Sequence, residues 1–345
     1  MQAYFNWIKN FIRHKPLGSC IGLDIQTSQC KMVELKKEGL EFELVSWAIE
    51  RVDKGDFISA IKKILSHVKT PSSFLHTALY GKGTLIRYIS LPRMTREDLK
   101  NAFAFEADKY FPFAQDQIYT DCYILDPQGK DKQMSVMATA ATREIVDQRI
   151  KMFDQVGVDC ELISINSVAL ANIINVFGDT QPSKEVFAIF DLGETVSNIT
   201  IIVDKLPRFS RDIFIGIRDF IKMTSNSMGV EFDKAERLIF DPGDREKEVL
   251  SACESTIMNI IQELRLSFDY FSTEKNTEVG QLFLIGDGAK LLGIYEVIGS
   301  HLDVKAQLWN PFEFIKINDV SVKKIIDGHA HQLGGAVGLA LYGHD

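Results

Sequence analysis

Several features of membrane and secreted proteins are missing from this sequence. It contains no apolar run of 18 or more residues, so no membrane-spanning helix is expected. The amino terminus lacks the long apolar segment and small-residue cleavage site of a signal peptide. The five cysteines form no CxxC pair and are odd in number, which argues against a disulfide framework or a zinc site. We therefore expect free thiols in a reducing cytoplasm.

An excess of basic residues is also missing. Lys and Arg number 39 against 47 Asp and Glu, which gives a formal net charge of −8. This balance argues against broad nucleic-acid binding, which needs a basic surface. The 345 residues are 46% hydrophobic and 25% charged, as in a globular protein long enough for two domains or lobes. The seven histidines are scattered, so we expect no metal site.

Aromatic and basic residues are concentrated in residues 1–16. Tyr4, Ile8 and Phe11 follow the i, i+4, i+7 spacing of one helix face, and Pro16 ends the segment. Two interpretations remain open. The segment is an amphipathic helix that lies on an anionic membrane or a partner, or it is a frayed or internally docked terminus. The candidate contact residues are Phe5, Trp7, Ile8 and Phe11.

One strand pattern occurs twice along the chain. Residues 19–49 predict strand, turn, strand, turn and strand, and residues 186–214 repeat this order. In both segments the first strand ends at an aspartate, Asp24 or Asp191, followed by a polar turn. Similar segments about 170 residues apart indicate two related lobes.

A smaller unit interrupts the first lobe. Residues 84–156 follow a β-α-β-β-α order, and their first helix begins with a capping box of Thr95 and Asp98. The predicted division of the chain is an amphipathic segment (1–16), the first part of the first lobe (17–83), the inserted α/β subdomain (84–157), the rest of the first lobe with its connecting helix (158–183), the second lobe (184–327) and a closing helix (328–345).

The two hairpins and a third turn can form a nucleotide site. Backbone N–H groups of such a turn can bind phosphate oxygens, and the aspartate at the strand end can hold Mg²⁺ through water. The Gly-rich turn Gly286-Asp287-Gly288 follows a buried strand and can let an adenine approach the backbone. Each turn alone is common, but their order and spacing together indicate a site between the lobes.

These segments resemble the PilM family of type IV pilus assembly, within the actin-like ATPase superfamily that includes FtsA. The resemblance implies an α/β actin-like ATPase fold of two ribonuclease-H-like lobes with a small inserted α/β subdomain of the FtsA/PilM type. The motifs that carry it are GLDIQTSQCKMVEL (22–35), SLPRMTREDLKNAFAFEADKYFPF (90–113), FDLGETVSNITII (190–202), LIGDGAKLLGI (284–294) and GGAVGLAL (334–341).

The resemblance also assigns candidate contacts of ATP with Mg²⁺. The phosphate and magnesium contacts would be Asp24, Gln26, Thr27, Ser28, Lys31, Asp191, Gly193 and Glu194. The adenosine contacts would be Glu236, Gly286, Asp287, Gly288 and Ala289.

Several of these positions depart from the family pattern. Gln26 and Asp287 stand where the family usually has glycine, and Glu194 replaces a small residue. The Gln26 side chain is expected to crowd its turn and to demand a positive φ, while Glu194 places an anion beside the phosphates. Ser164 and Asn166 replace acidic residues before the connecting helix and are poor general bases. We therefore expect weak ATP binding at most and little or no ATPase activity.

The function implied by the resemblance is that of an adaptor in type IV pilus or related secretion-system assembly. It would lie in the cytoplasm at the inner face of the bacterial inner membrane. In the family, a groove between the first lobe and the inserted subdomain takes the cytoplasmic N-terminal peptide of PilN, so a PilN-like membrane protein is the expected partner. Pilus assembly ATPases are further candidates. The candidate groove residues are Arg87, Leu91, Arg93, Phe103, Glu106 and Tyr110.

Two alternative functions remain open. The first is an FtsA-like protein that polymerises with nucleotide, which filament formation on nucleotide addition would favour. The second is a sugar or acetate kinase of the same fold, which needs an aspartate base near its substrate. The neutral residues before the connecting helix argue against the kinase.

Overall fold

The structure is a computed structural model that describes residues 18–71, 73–177, 186–291 and 293–342. The N-terminal candidates Phe5, Trp7, Ile8 and Phe11 lie outside the described residues, so their role stays a prediction. The strands are β1 (Ser19–Ile25), β2 (Gln29–Glu38), β3 (Glu41–Arg51), β4 (Ser73–Leu79), β5 (Thr84–Pro92), β6 (Ile118–Ile124), β7 (Gln133–Thr142), β8 (Leu162–Ile165), β9 (Phe187–Asp191), β10 (Ser197–Val203), β11 (Leu206–Ile213), β12 (Gln281–Ile285), β13 (Lys305–Leu308) and β14 (Ile315–Lys316). The α-helices are α1 (Phe57–Leu65), α2 (Arg96–Glu106), α3 (Arg143–Val156), α4 (Asn166–Phe177), α5 (Ile217–Met228), α6 (Phe232–Phe240), α7 (Glu246–Lys275), α8 (Ile294–Leu302), α9 (Val320–His329) and α10 (Gly334–Ala340).

Two sheets of matching topology form the two lobes. The first has six strands in the order β14–β3–β2–β1–β4–β8, and the second has five in the order β11–β10–β9–β12–β13. In each sheet an antiparallel meander, β1 to β3 or β9 to β11, continues through a parallel neighbour, β4 or β12. The repeat predicted from the sequence is therefore confirmed, and Asp24 and Asp191 occupy equivalent strands of the two lobes.

The inserted segment has a sheet and a core of its own. Strands β5, β7 and β6 form an antiparallel sheet in that order. Leu99 and Phe103 of α2 pack against Val136 of the sheet in a separate apolar cluster. The predicted start of α2 is confirmed, because Thr95 Oγ1 accepts a hydrogen bond from the backbone N–H of Asp98 at 3.1 Å.

Three chain segments make contacts outside the part of the chain to which the sequence assigns them. Helix α3 lies in the predicted insert, and its Phe153 packs with Ile61 and Ile64 of α1 in the first lobe. Strand β14 lies in the predicted second lobe, and it pairs with β3 of the first lobe. Helix α9 spans the predicted boundary between residues 327 and 328, and its His329 lies beside Trp47 of β3. Contacts between segments that are distant in the sequence decide these placements. The local hydrophobic pattern of a segment carries no information about such contacts.

Helix α10 packs closely between the first sheet and the connecting helix α4. A Cβ atom on Gly22 of β1 would lie 1.9 Å from the carbonyl oxygen of Ala336. A Cβ atom on Gly338 would lie 1.9 Å from the carbonyl oxygen of Ala169 in α4. Only glycine permits this approach. This close packing holds the end of β1, and therefore Asp24, near α10 and α4.

Candidate functional site

Lys31 lies at the centre of the cleft between the lobes. It is directly opposite Asp24 in the β1–β2 pairing, and its side chain is completely buried. Its Nζ is 2.7 Å from Oδ2 of Asp287 and 4.0 Å from Oδ2 of Asp24. Burial alone would lower the pKa of Lys31, but the attraction of Asp287 and Asp24 outweighs it and raises the pKa above its ordinary value. Lys31 is therefore a charged lysine that bridges the two lobes.

Asp191 and Asp24 face this lysine from the two lobes. Oδ2 of Asp191 accepts a hydrogen bond from Nδ2 of Asn166 at 2.7 Å. Desolvation raises the pKa of Asp191 to about 7, since the opposing attraction of Lys31 offsets it only in part. Burial also raises the pKa of Asp24. A carboxyl group with a pKa raised in this way is of the kind that can act as a general acid or base.

The first loop, between β1 and β2, turns without the strain expected from its sequence. The backbone of Gln26 does not have a positive φ, so the expectation of a left-handed conformation at this residue is wrong. The turn is closed by a hydrogen bond from the backbone N–H of Gln26 to the carbonyl oxygen of Gln29 at 2.9 Å. The side-chain Nε2 of Gln26 donates to Oδ2 of Asp24 at 2.9 Å. Thr27 is exposed, and the backbone N–H of Ser28 points across the cleft.

The second loop supplies the group that Ser28 contacts. Glu194 Oε2 accepts from the Ser28 N–H at 2.9 Å, and its Oε1 is 3.5 Å from Nη1 of Arg218. A Cβ on Gly193 would lie 2.3 Å from the Val196 carbonyl oxygen, so the turn before Glu194 is tight. The loop carbonyls of Gly193 and Glu194 accept from the first N–H groups of α5. The loop is thus held at a helix N-terminus, where negative charge is favoured.

The third loop, after β12, contacts the first lobe through Asp287. Its Oδ1 accepts from Nε2 of Gln29 at 2.8 Å, and its Oδ2 accepts from Lys31. Gly286 has φ of +95°, and a Cβ there would lie 2.3 Å from Oδ1 of Asp191, so no other residue fits.

The other adenosine candidates lie at different depths. Gly288 donates its N–H to the Leu192 carbonyl, and Ala289 is completely buried. Glu236 lies farther out on α6, 3.9 Å from Nη2 of the exposed Arg51. The structure thus places the Gly286–Ala289 turn against the phosphate loops, and Glu236 in a separate contact between the lobes.

Two small cavities lie inside the cleft. One of about 20 Å³ lies beside Asn166 and Glu194, and a second of about 10 Å³ lies beside Lys31. A buried water needs about 10–15 Å³ of such space, so each cavity is about the size of one water molecule. Two acceptors on the cavity walls, Gln26 Oε1 and Asn166 Oδ1, have no hydrogen-bond partner in the described part of the chain.

The described residues show neither a metal centre nor a spanning helix. In residues 18–71, 73–177, 186–291 and 293–342, no three His, Cys, Asp or Glu side chains are grouped to hold a metal ion. Over the same ranges, no helix is both long enough and apolar enough to cross a bilayer.

Two of the candidate groove residues are engaged inside the inserted subdomain. Arg93 donates from Nη2 to Oδ2 of Asp126 at 2.9 Å and from Nε to the Asp131 carbonyl at 2.9 Å, so it fixes the β6–β7 loop. Phe103 is only 3% exposed and stacks on Tyr110 with ring centroids 5.2 Å apart. Both residues make contacts that support the subdomain itself, and their role in a groove stays a prediction.

The remaining groove candidates lie nearer the surface. Arg87 is exposed on β5, and Leu91, on the same face of this strand by alternation, is half-buried. Glu106 lies 2.8 Å from Lys109 at the end of α2, and Tyr110 is half-buried. Arg87 and Leu91 thus share the edge strand β5, while Glu106 and Tyr110 lie at and just after the end of α2.

The contacts that join the lobes were mostly absent from the sequence expectations. Gln29 and Arg51 each reach a carboxylate of the other lobe, and Arg218 reaches Glu194 within its own lobe; none of the three was among the predicted site residues. The sequence does place Gln29 at the start of the strand that carries Lys31, two residues before it and on the same face. No sequence signal pairs it with Asp287, 258 residues away.

Two lobes of equal topology around a cleft, with a connecting helix below and a small subdomain inserted in the first lobe, define an actin-like ATPase fold. A model of the family "Type IV pilus assembly protein PilM" matches residues 22–344, so the chain belongs to that family.

Solved structures agree with the fold. A chain described as the PilM–PilN type IV pilus biogenesis complex superposes with a TM-score of 0.85 at 22% identity, over 94% of this chain and 98% of that one. The ethanolamine utilization protein EutJ from Carboxydothermus hydrogenoformans superposes with a TM-score of 0.54 at 14% identity, over 99% of this chain and 98% of that one.

Proposed function

We propose that this chain is an adaptor of type IV pilus assembly that binds the cytoplasmic N-terminal peptide of a PilN-like inner-membrane protein. Membership of the PilM family supports this proposal. The observation that carries it is the match over nearly the whole chain to the PilM–PilN complex. Binding to a membrane protein would hold an acidic protein at the inner face of the membrane, and residues 1–16 would add a second contact there. Pilus assembly ATPases are proposed as additional partners.

The margin of the three-stranded sheet is the proposed peptide site. Strand β5 is an edge strand of that sheet and contacts β11 of the second lobe. An extended peptide bound at such a margin gains main-chain hydrogen bonds and pockets for alternate side chains. Arg87 offers a charge and Leu91 an apolar contact on one face of β5. Tyr110 adds a half-buried aromatic ring to the same apolar cluster as Leu91.

Peptide titration tests this proposal. A fluorescent peptide from the cytoplasmic N-terminus of the neighbouring PilN-like protein is titrated with the full chain, and its anisotropy is measured. Arg87→Glu should weaken binding about tenfold or more, which corresponds to ~1.4 kcal/mol. Arg237→Glu is the matched control, because Arg237 is an equally exposed arginine on α6 of the other lobe. No binding of the peptide at any accessible concentration, or an equal loss in both variants, would contradict the proposal.

We further propose that ATP with Mg²⁺ is a weak ligand at most and that the chain has little or no ATPase activity. The two cavities described inside the cleft are water-sized, and the carboxylates of Glu194 and Asp287 take loop contacts that phosphate oxygens would need. The residues present therefore do not fit a triphosphate. A micromolar Kd for Mg-ATP that is lost in Asp191→Ala would refute this part of the proposal.

A further inference from the structure

We propose that the carboxylates of Glu194 and Asp287 close the cleft between the lobes in place of nucleotide phosphates, so that this chain keeps its lobes together without a bound nucleotide. The inference concerns the cleft alone and does not depend on peptide binding at the inserted subdomain.

The first part of this closure is the contact between the two phosphate loops. The backbone N–H of Ser28 is the kind of donor that such a loop offers to a phosphate oxygen. Here its acceptor is Oε2 of Glu194 at 2.9 Å, from the corresponding loop of the other lobe. The carboxylate is only 11% exposed, and Arg218 at 3.5 Å and the start of α5 stabilise its charge. A side chain of the protein thus occupies the position of an anion.

The second part is the contact of Asp287 with β2. Both of its carboxylate oxygens are used across the cleft, one by Gln29 and one by Lys31. Because Lys31 is completely buried, its ammonium group needs a partner. Asp287 is the carboxylate at hydrogen-bond distance, 2.7 Å, while Asp24 lies 4.0 Å away. Asp287 therefore does for Lys31 what a phosphate would otherwise do.

These two contacts also oppose nucleotide entry. Asp24 and Asp191 are the aspartates that could serve a magnesium ion, and Glu194 and Asp287 add two further carboxylates at the loops of the cleft. A phosphate placed beside Glu194 or Asp287 would meet negative charge. Closure and poor nucleotide binding then share one physical cause.

A third contact lies at the mouth of the cleft. Arg51 of β3 and Glu236 of α6 approach to 3.9 Å, but their side chains are 81% and 41% exposed. An ion pair so exposed adds little. The closure therefore depends on the two inner carboxylates, and Glu194 is the better one to test because its removal leaves no buried ammonium group unpaired.

Hydrogen exchange on the full chain tests the inference. In the wild type, exchange of the first loop (residues 22–35) is measured with and without millimolar Mg-ATP, and we expect no difference. In Glu194→Ala without nucleotide, the loop amides that include Ser28 should exchange about tenfold faster or more, since their protection comes from local closure. Glu254→Ala is the matched control, because Glu254 is exposed on α7 far along the chain from the loops.

Glu194→Gln gives a second reading that does not depend on the alanine variant folding well. It keeps an acceptor oxygen and the side-chain shape but removes the charge, so its exchange rate should lie between wild type and alanine. Protection of the wild-type loop by Mg-ATP would overturn the inference. So would first-loop exchange in both Glu194 variants that equals the wild type.

Discussion

A buried carboxylate, Glu34 of β2, should be one of the main determinants of stability in the first lobe. It is completely buried, and its two oxygens accept four hydrogen bonds between 2.7 and 3.0 Å long. Burial alone would raise the pKa of Glu34, but the backbone N–H of Lys69 and the other donors outweigh it and lower the pKa. The donors are Ser19 Oγ, Ser46 Oγ and the backbone N–H groups of Lys69 and Thr70; Ser73 Oγ lies 3.3 Å away and donates to the Thr70 carbonyl.

The cost of Glu34→Gln follows from the geometry of these donors. Lys69 N–H and Thr70 N–H reach different carboxylate oxygens, at 2.9 and 3.0 Å. The glutamine amide has only one oxygen, so at least one backbone N–H then faces an N–H₂ group. An unsatisfied buried donor costs about 1–3 kcal/mol, and replacing a charged acceptor by a neutral one weakens the rest by about 1 kcal/mol. The hydroxyl groups can rotate to accept, so we expect a total loss of about 2–4 kcal/mol.

Chemical unfolding followed by tryptophan fluorescence measures this difference. Glu41→Gln on the neighbouring β3 is the matched control, since Glu41 is exposed and a surface change should stay within about 0.5 kcal/mol. Because the folded-state pKa of Glu34 lies below its usual 4.5, the stability it contributes is present above that pH and is lost as the pH falls through the folded pKa. The gap between wild type and Glu34→Gln should therefore shrink in acid. A variant as stable as the control at neutral pH, or a gap that widens in acid, would refute the reasoning.

Three further changes test the cleft and its support. Asp191→Asn should gain stability relative to wild type as the pH rises from about 4 to about 7, by ~1.4 kcal/mol per pH unit at most. The reason is that the Asp191 carboxyl keeps its proton to a higher pH in the folded state than in the unfolded state. Unfolding curves measured across this pH range test the prediction, and a constant difference in stability would contradict it. Gly22→Ala should unfold or strongly destabilise the chain, since its Cβ would lie 1.9 Å from the closing helix, whereas Gly328→Ala meets no atom within 4 Å and should be harmless in the same thermal melt. Lys31→Met should cost about 3–5 kcal/mol by leaving Asp287 without its cation, and adding Asp287→Leu should recover part of this loss in a double-mutant unfolding cycle, since Asp24 and Asp191 still lack the lysine.

The sequence by itself determined the repeated strand order, the aspartate at each first-strand end and the start of α2 at Thr95. These features depend on neighbours a few residues apart, where strand alternation, turn chemistry and helix capping act. Its motifs also determined the family and the actin-like fold. By contrast, the sequence did not distinguish Arg93 and Phe103 from the other groove candidates. Only their contacts in the structure show that they support the subdomain.

Only the tertiary structure decided how the lobes meet. Strand β14 has two residues, too few for any periodicity, and it is placed by its pairing with β3. Lys31 and Asp287 are 256 residues apart, and Ser28 and Glu194 are 166 apart, so no local pattern can pair them. Burial removes water from these groups and makes a partner necessary, but which partner is present depends on how the complete chain brings the two loops together.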